Sequence, residues 1–144
     1  MLARWIKQPR RAPDIWIGGQ ADPYLMRWYL IPRNRWLNAY YHVFKRSDDD
    51  RALHDHPWVS LSLCLKGEAT EIDAAGARIV RAGQWRFRRA SYSHRMMLHA
   101  GDCHTLFVTG PRVREWGFLC PQGWRHWREF TAGKNGETVG RGCD

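Results

Sequence analysis

Polar and apolar residues alternate along most of this chain in short stretches, each closed by turn-forming residues. WVSLSLCLKG (58–67) is the clearest case. As a strand it places Val59, Leu61, Leu63 and Leu65 on one face and Trp58, Ser60, Ser62 and Cys64 on the other. The unbroken apolar row predicts a core face. The other row, small and polar beyond its tryptophan, predicts the wall of a cavity. YLMRWYLIP (24–32) and WLNAYYHVFKR (36–46) are rich in β-formers, with PRNR as the turn between them. Further strands are expected at EATEID (68–73), ARIVRAG (77–83), QWRFRRA (84–90), SHRMMLH (93–99), CHTLFVTG (103–110) and VREWGFLC (113–120). Strands spaced roughly 8–12 residues apart with turns between them indicate a sandwich or barrel. No helical period appears outside the tail, where GWRHWREF predicts a short helical turn before the chain frays. The fold class is therefore all-β. It comprises an irregular N-terminal arm (1–23), a β-barrel (24–130) and a flexible C-terminal tail (131–144).

Composition narrows the function. The 144 residues are 44% hydrophobic and include nine tryptophans, which fits one globular domain with an aromatic-rich interior. The formal net charge is +9. The arginines are scattered from Arg4 to Arg141 and form neither a tail nor a recognisable stripe, so a solvated basic surface is favoured over a nucleic-acid partner. Cys64, Cys103, Cys120 and Cys143 lack C-x-x-C spacing, and four reduced thiols in a cytoplasm are expected. No signal peptide or long apolar stretch predicts membrane contact. SDDDR (47–51) lacks calcium-loop spacing and reads as a solvated turn.

RALHDHPW (51–58) carries the candidate chemistry. His54 and His56 at i and i+2 leave a strand on the same face. Such a pair can ligate a metal, form an acid/base pair, or belong to a histidine-rich turn. Asp55 between them points the other way and can orient the turn by accepting hydrogen bonds. His42, His94, His99, His104 and His126 are candidates for completing a metal site.

The stretch HDHPW followed by Gly67, and Gly83 followed by His94, resembles the two motifs of the cupin superfamily. The resemblance implies a double-stranded β-helix, or jelly-roll barrel, with a metal held by His54, His56 and His94. Ser60 stands where the first motif's glutamate falls, and the first motif's leading glycine, the second motif's Pro-x-Gly and its final Asn are absent. What remains is similar to the three-His centre of cysteine dioxygenase-type cupins. PRNRWLNAYYHVFKRSDDDRALHDHPW and TGPRVREWGFLCPQGWRHWREF together resemble a group of small phage- and prophage-encoded cupin-like proteins without an assigned activity.

These resemblances imply one divalent transition metal, with Fe(II) favoured and Zn, Ni or Mn alternatives. They imply a small-molecule partner and a homodimer. With Fe(II) the expected activity is that of a dioxygenase on a small organic acid, thiol or amino acid. The alternative is a non-catalytic ligand-binding accessory protein. Tyr92 is the catalytic candidate. Arg114, Trp58 and Ser60 are the substrate-binding candidates, Arg114 through a carboxylate. His42, beside Tyr40 and Phe44, and His104 are candidate extra ligands or supporting bases.

Overall fold

The computed structural model describes residues 2–48, 52–134, 136 and 138–144. The part of the expected turn formed by Asp49, Asp50 and Arg51 lies outside the described residues. After a short 3-10 turn at Leu2–Arg4 come β1 (Ile15–Ile17), β2 (Leu25–Tyr29), β3 (Asn38–Phe44), β4 (Leu53–His54) and β5 (Ser60–Lys66). They are followed by β6 (Glu68–Asp73), β7 (Gly76–Arg81), β8 (Trp85–Arg88), β9 (His94–Met97) and β10 (Cys103–Thr109). β11 (Gly117–Cys120), β12 (Gly123–His126), helix α1 (Trp127–Phe130), β13 (Thr131–Ala132) and β14 (Thr138–Val139) complete the chain. No helix is long and apolar enough to cross a membrane.

Two six-stranded antiparallel sheets form the barrel. The first has the order β1-β2-β3-β10-β5-β8 and the second β12-β11-β4-β9-β6-β7. Connections cross repeatedly between the sheets, so residues far apart in sequence meet face to face. The registers Arg27↔His42, His42↔Thr105 and Thr105↔Cys64 run one row of side chains across the first sheet. Since every second residue shares a face, its inner surface presents Arg27 and Tyr29, then Tyr40 and His42, then Thr105 and Phe107, then Ser62 and Cys64. Between the sheets, Cys64, Ala69, Val80, Met96 and Cys103 pack with Phe44 and Leu98.

The outer face of the first sheet is covered only in part. Trp28, Tyr41 and Val43 pack there against Ile6 and Leu65, and the Trp28 indole donates to the Arg11 carbonyl at 2.8 Å. The arm thus lies on this sheet and adds β1 to its edge. Beyond the arm's reach, Val59 and Leu61 are 40% and 38% exposed, whereas Leu63 is 1% exposed. The apolar row expected to be core throughout is therefore the outer row, buried only beneath the arm. The small polar row, Ser60, Ser62 and Cys64, faces inward and is buried.

Gly67 joins β5 to β6 with φ +77°, and a Cβ there would sit 2.3 Å from the Asp102 carbonyl oxygen. Only glycine admits both that backbone angle and that approach. The tail departs from the expectation of fraying. β13 pairs with β14, and Cys143 forms a disulfide with Cys120 across a Cα separation of 5.4 Å. Four reduced thiols are thus not what the fold contains. Cys64 and Cys103 are free and buried. The Cys spacing gave no sign of the pairing because it arises from the return of the tail onto β11.

Candidate metal centre

His54 ends β4, His94 begins β9, and the two are register partners on adjacent strands. His56 follows two residues after His54, ahead of the buried Pro57. The three imidazole centroids are each 5.1 Å from the other two. Each ring offers one nitrogen, and all three nitrogens lie within 4.8 Å of one another. His94 is buried, while His54 and His56 are half-buried, leaving the group reachable.

The residue behind the triad is Glu71, on β6, which is fully buried. His94 Nδ1 lies 2.7 Å from Glu71 Oε1. Arg88 Nε donates to the same oxygen and Arg86 Nε donates to Oε2 at 2.8 Å. Arg88 also donates to the Ser62 hydroxyl at 2.8 Å. Burial alone would raise the Glu71 pKa, but the His94 hydrogen bond and the Arg88 charge outweigh it and hold the carboxyl well below its usual range. An ionised carboxylate only accepts. His94 Nδ1 must therefore carry the proton, and its lone pair is on Nε2. Burial pushes the His94 pKa down to about 4 despite Glu71. Burial, reinforced by the neighbouring His54 and His94, presses His56 well below its ordinary value.

Asp55 is buried on the opposite side of the turn. Its oxygens accept from Gly117 N at 2.8 Å, Trp124 Nε1 at 3.0 Å and Arg114 at 2.7 Å. These bonds tie the segment between the two histidines to β11 and β12. Arg114, expected to hold a substrate carboxylate, is thus occupied by Asp55, with its guanidinium also 3.3 Å from the Ala90 carbonyl. Tyr92 lies beside His94, with ring centroids 5.4 Å apart. Its phenol donates to Asp73 at 2.6 Å, and burial followed by that hydrogen bond pushes its pKa up to about 12.

Trp58 stacks on His56 at 5.0 Å. Ser60 is buried with an unpartnered hydroxyl. His42 faces inward with Tyr40 and Phe44, and accepts at Nε2 from Arg27 Nε at 2.9 Å. His104 pairs in register with Val43 and meets the Tyr41 hydroxyl at 2.9 Å, on the arm-covered outer face. That placement separates His104 from the triad and corrects its expectation as an extra ligand or supporting base. His42 is also outside the three-nitrogen group.

The donor set fits a divalent transition metal. Three imidazoles favour borderline cations, and the depressed pKa values of His56 and His94 keep their lone pairs available at neutral pH. His56 Nδ1 is buried without a hydrogen-bond partner, the kind of unmet polar demand that ligation can answer. Glu71 supplies the carboxylate–histidine support common behind metal-bound imidazoles. Glu71 escaped the sequence reading because EATEID looks like a polar surface strand. The detectable signal was its parity with Ala69, which places both residues inward.

No family model and no curated protein matches this chain. Solved structures do. The DMSP lyase DddQ from Ruegeria pomeroyi DSS-3 superposes with TM-score 0.58 and 18% identity, over 81% of this chain and 62% of that one. A structure from work on the DMSP lyases RdDddP and RnDddQII gives TM-score 0.51 and 21% identity, over 60% of this chain and 47% of that one. The chain therefore spans about half to three-fifths of the length of these two. The Cupin_2 domain of an XRE family transcriptional regulator from Enterobacter cloacae gives TM-score 0.50 and 13% identity, over 62% of this chain and 99% of that domain. At these identities the likeness is one of fold. The chain is an all-β jelly-roll barrel of cupin type with a three-histidine group inside it.

Proposed function

We propose that this protein is a metal-dependent cupin enzyme, an Fe(II)-type dioxygenase acting on a small organic acid, thiol or amino acid. The observation that carries the metal is the close cluster of three imidazole nitrogens, backed by Glu71. A three-imidazole set leaves a bound cation its full charge and positions open to other molecules; with Fe(II), that supplies redox chemistry on dioxygen. The chain's own residues hold and orient. Glu71 fixes the His94 tautomer, Asp55 fixes the turn carrying His54 and His56, and Trp58, stacked on His56, packs edge-on against Phe107.

A second reading is a non-catalytic ligand-binding protein of phage or prophage type. The binding of the Tyr92 phenol to Asp73 favours it, because a phenol with a pKa near 12 is a poor base at neutral pH. Exposed Val59, Leu61 and Phe87 support a homodimer joined over the uncovered part of the first sheet.

The deciding experiment is metal analysis of anaerobically prepared protein, followed by oxygen uptake with Fe(II) across a panel of acids, thiols and amino acids. Uptake that His54→Ala abolishes supports the dioxygenase. A filled site with no turnover leaves the second reading.

A further inference from the structure

Arg27 is a cation on the inner wall of the barrel without an acidic partner. It sits on β2, half-buried, in register with His42. Among the described residues, no carboxylate lies within ion-pair distance of it. Its Nε donates to a neutral imidazole nitrogen, His42 Nε2, at 2.9 Å. Its guanidinium lies 4.8 Å from the centre of the Tyr40 ring. Burial lowers its pKa, the direction expected for a cation held without a counter-charge. Every other arginine that reaches into the barrel wall near the triad touches a carboxylate: Arg86 and Arg88 share Glu71, and Arg114 meets Asp55.

Two further observations give this cation a ligand. Thr105 is in the same cross-strand row, paired with His42, and its buried hydroxyl has no partner. A continuous set of rings also joins Arg27 to the triad. His42 stacks on Phe107 at 4.9 Å, Phe107 meets Trp58 at 5.5 Å, and Trp58 stacks on His56 at 5.0 Å. Because Nε is engaged by His42, the guanidinium offers its two terminal amino groups. That planar two-donor edge matches the two oxygens of a carboxylate.

We propose that Arg27, positioned by His42 and Tyr40, is the carboxylate-binding group of this site, and that its ligands are small molecules with a carboxylate at one end and an aliphatic or heteroatom group at the other. The assignment rests on reading His54, His56 and His94 as the metal centre. It moves the carboxylate grip from Arg114, which Asp55 already holds, to an arginine whose charge is unanswered.

The test uses the full chain loaded with Zn(II), titrated with propanoate, its neutral isostere propanamide, and inorganic phosphate. The expected result is binding of propanoate at least tenfold tighter than propanamide, and tighter than phosphate. Arg27→Gln removes that preference and Arg27→Lys weakens it, both with zinc content unchanged. His54→Ala loses zinc but retains the preference for propanoate, which separates the two readings. If the wild type takes up no zinc, the metal reading fails while the propanoate comparison is still made on the metal-free chain. In wild-type protein labelled at arginine, the Arg27 Nε–H resonance shifts on addition of propanoate, so the result does not depend on the variants folding. An unshifted resonance, a preference retained in Arg27→Gln, or tighter phosphate binding that depends on Arg27 overturns the proposal.

Discussion

Glu71 and His94 share a 2.7 Å hydrogen bond across the β6–β9 pair, with Glu71 also carrying two arginines. One carboxylate therefore sets the tautomer of a candidate metal ligand and offsets one of the two arginine charges behind it. Glu71→Gln leaves Arg86 and Arg88 without their counter-charge. Breaking a buried pair of this kind costs about 3–5 kcal/mol. Loss of carboxylate support behind a ligating histidine weakens metal affinity about 10–100-fold. Thermal unfolding and competitive metal titration of the variant check the two effects separately.

Metal addition is expected to stabilise the folded chain. At a free concentration one hundred times the dissociation constant, the gain is about 2.7 kcal/mol. His54→Ala and His94→Ala each abolish it. A rise in Tm with metal that is unchanged in both variants would place the ion elsewhere.

The metal-free protein loses stability as the solution is acidified. His94 is near 4 in the fold against 6.5 when free, and burial lowers His56, His42 and His104 as well. Below 6.5 the unfolded chain binds protons that the folded chain refuses, so stability is full above that pH and falls towards pH 4. Glu71 acts in the same direction below 4.5, its value when free. Urea midpoints measured from pH 8 to pH 4 should decline along that course. A midpoint that stays flat would contradict the buried neutral histidines.

Arg114→Ala is a stability variant here. It removes the charged partner of Asp55, while Gly117 N and Trp124 Nε1 remain to bind the carboxylate. The expected loss is about 1–2 kcal/mol, discounted because a third of the arginine side chain faces water. Propanoate affinity should not change. A large fall in that affinity with an unaltered Tm would return the carboxylate grip to Arg114.

Mass analysis without reductant should show two hydrogens missing, both assigned to Cys120 and Cys143, with Cys64 and Cys103 free after unfolding. Closing a loop of this length contributes about 3 kcal/mol in the chain-entropy account. Cys143→Ser should therefore lower Tm without altering metal content.

Strand alternation made the inward Ser60, Ser62 and Cys64 row legible, and H-x-H spacing exposed two of the three histidines. Alternation divides a strand into two faces but does not say which face meets the core. Val59 and Leu61 are apolar yet outside, away from the patch where Ile6 and the partly buried Leu65 pack against Trp28, Tyr41 and Val43. His104 and His42 looked equivalent on neighbouring strands, and only the register sends one outward and the other inward. Arg27 and Glu71 were invisible for a related reason. Each is an ordinary charged residue in a short strand, and its meaning comes from which charge the opposing strands supply or withhold.

Phe118 ties the end of the chain to the triad. It lies 5.8 Å from His54 and stacks on Phe130 at 3.7 Å, and Phe130 belongs to the segment that Cys143 draws back onto Cys120. The residues from α1 onward are therefore a buttress for His54 rather than an appendage. Proteolytic trimming just after β12, which leaves every strand of the two six-stranded sheets intact, would still remove the support behind His54.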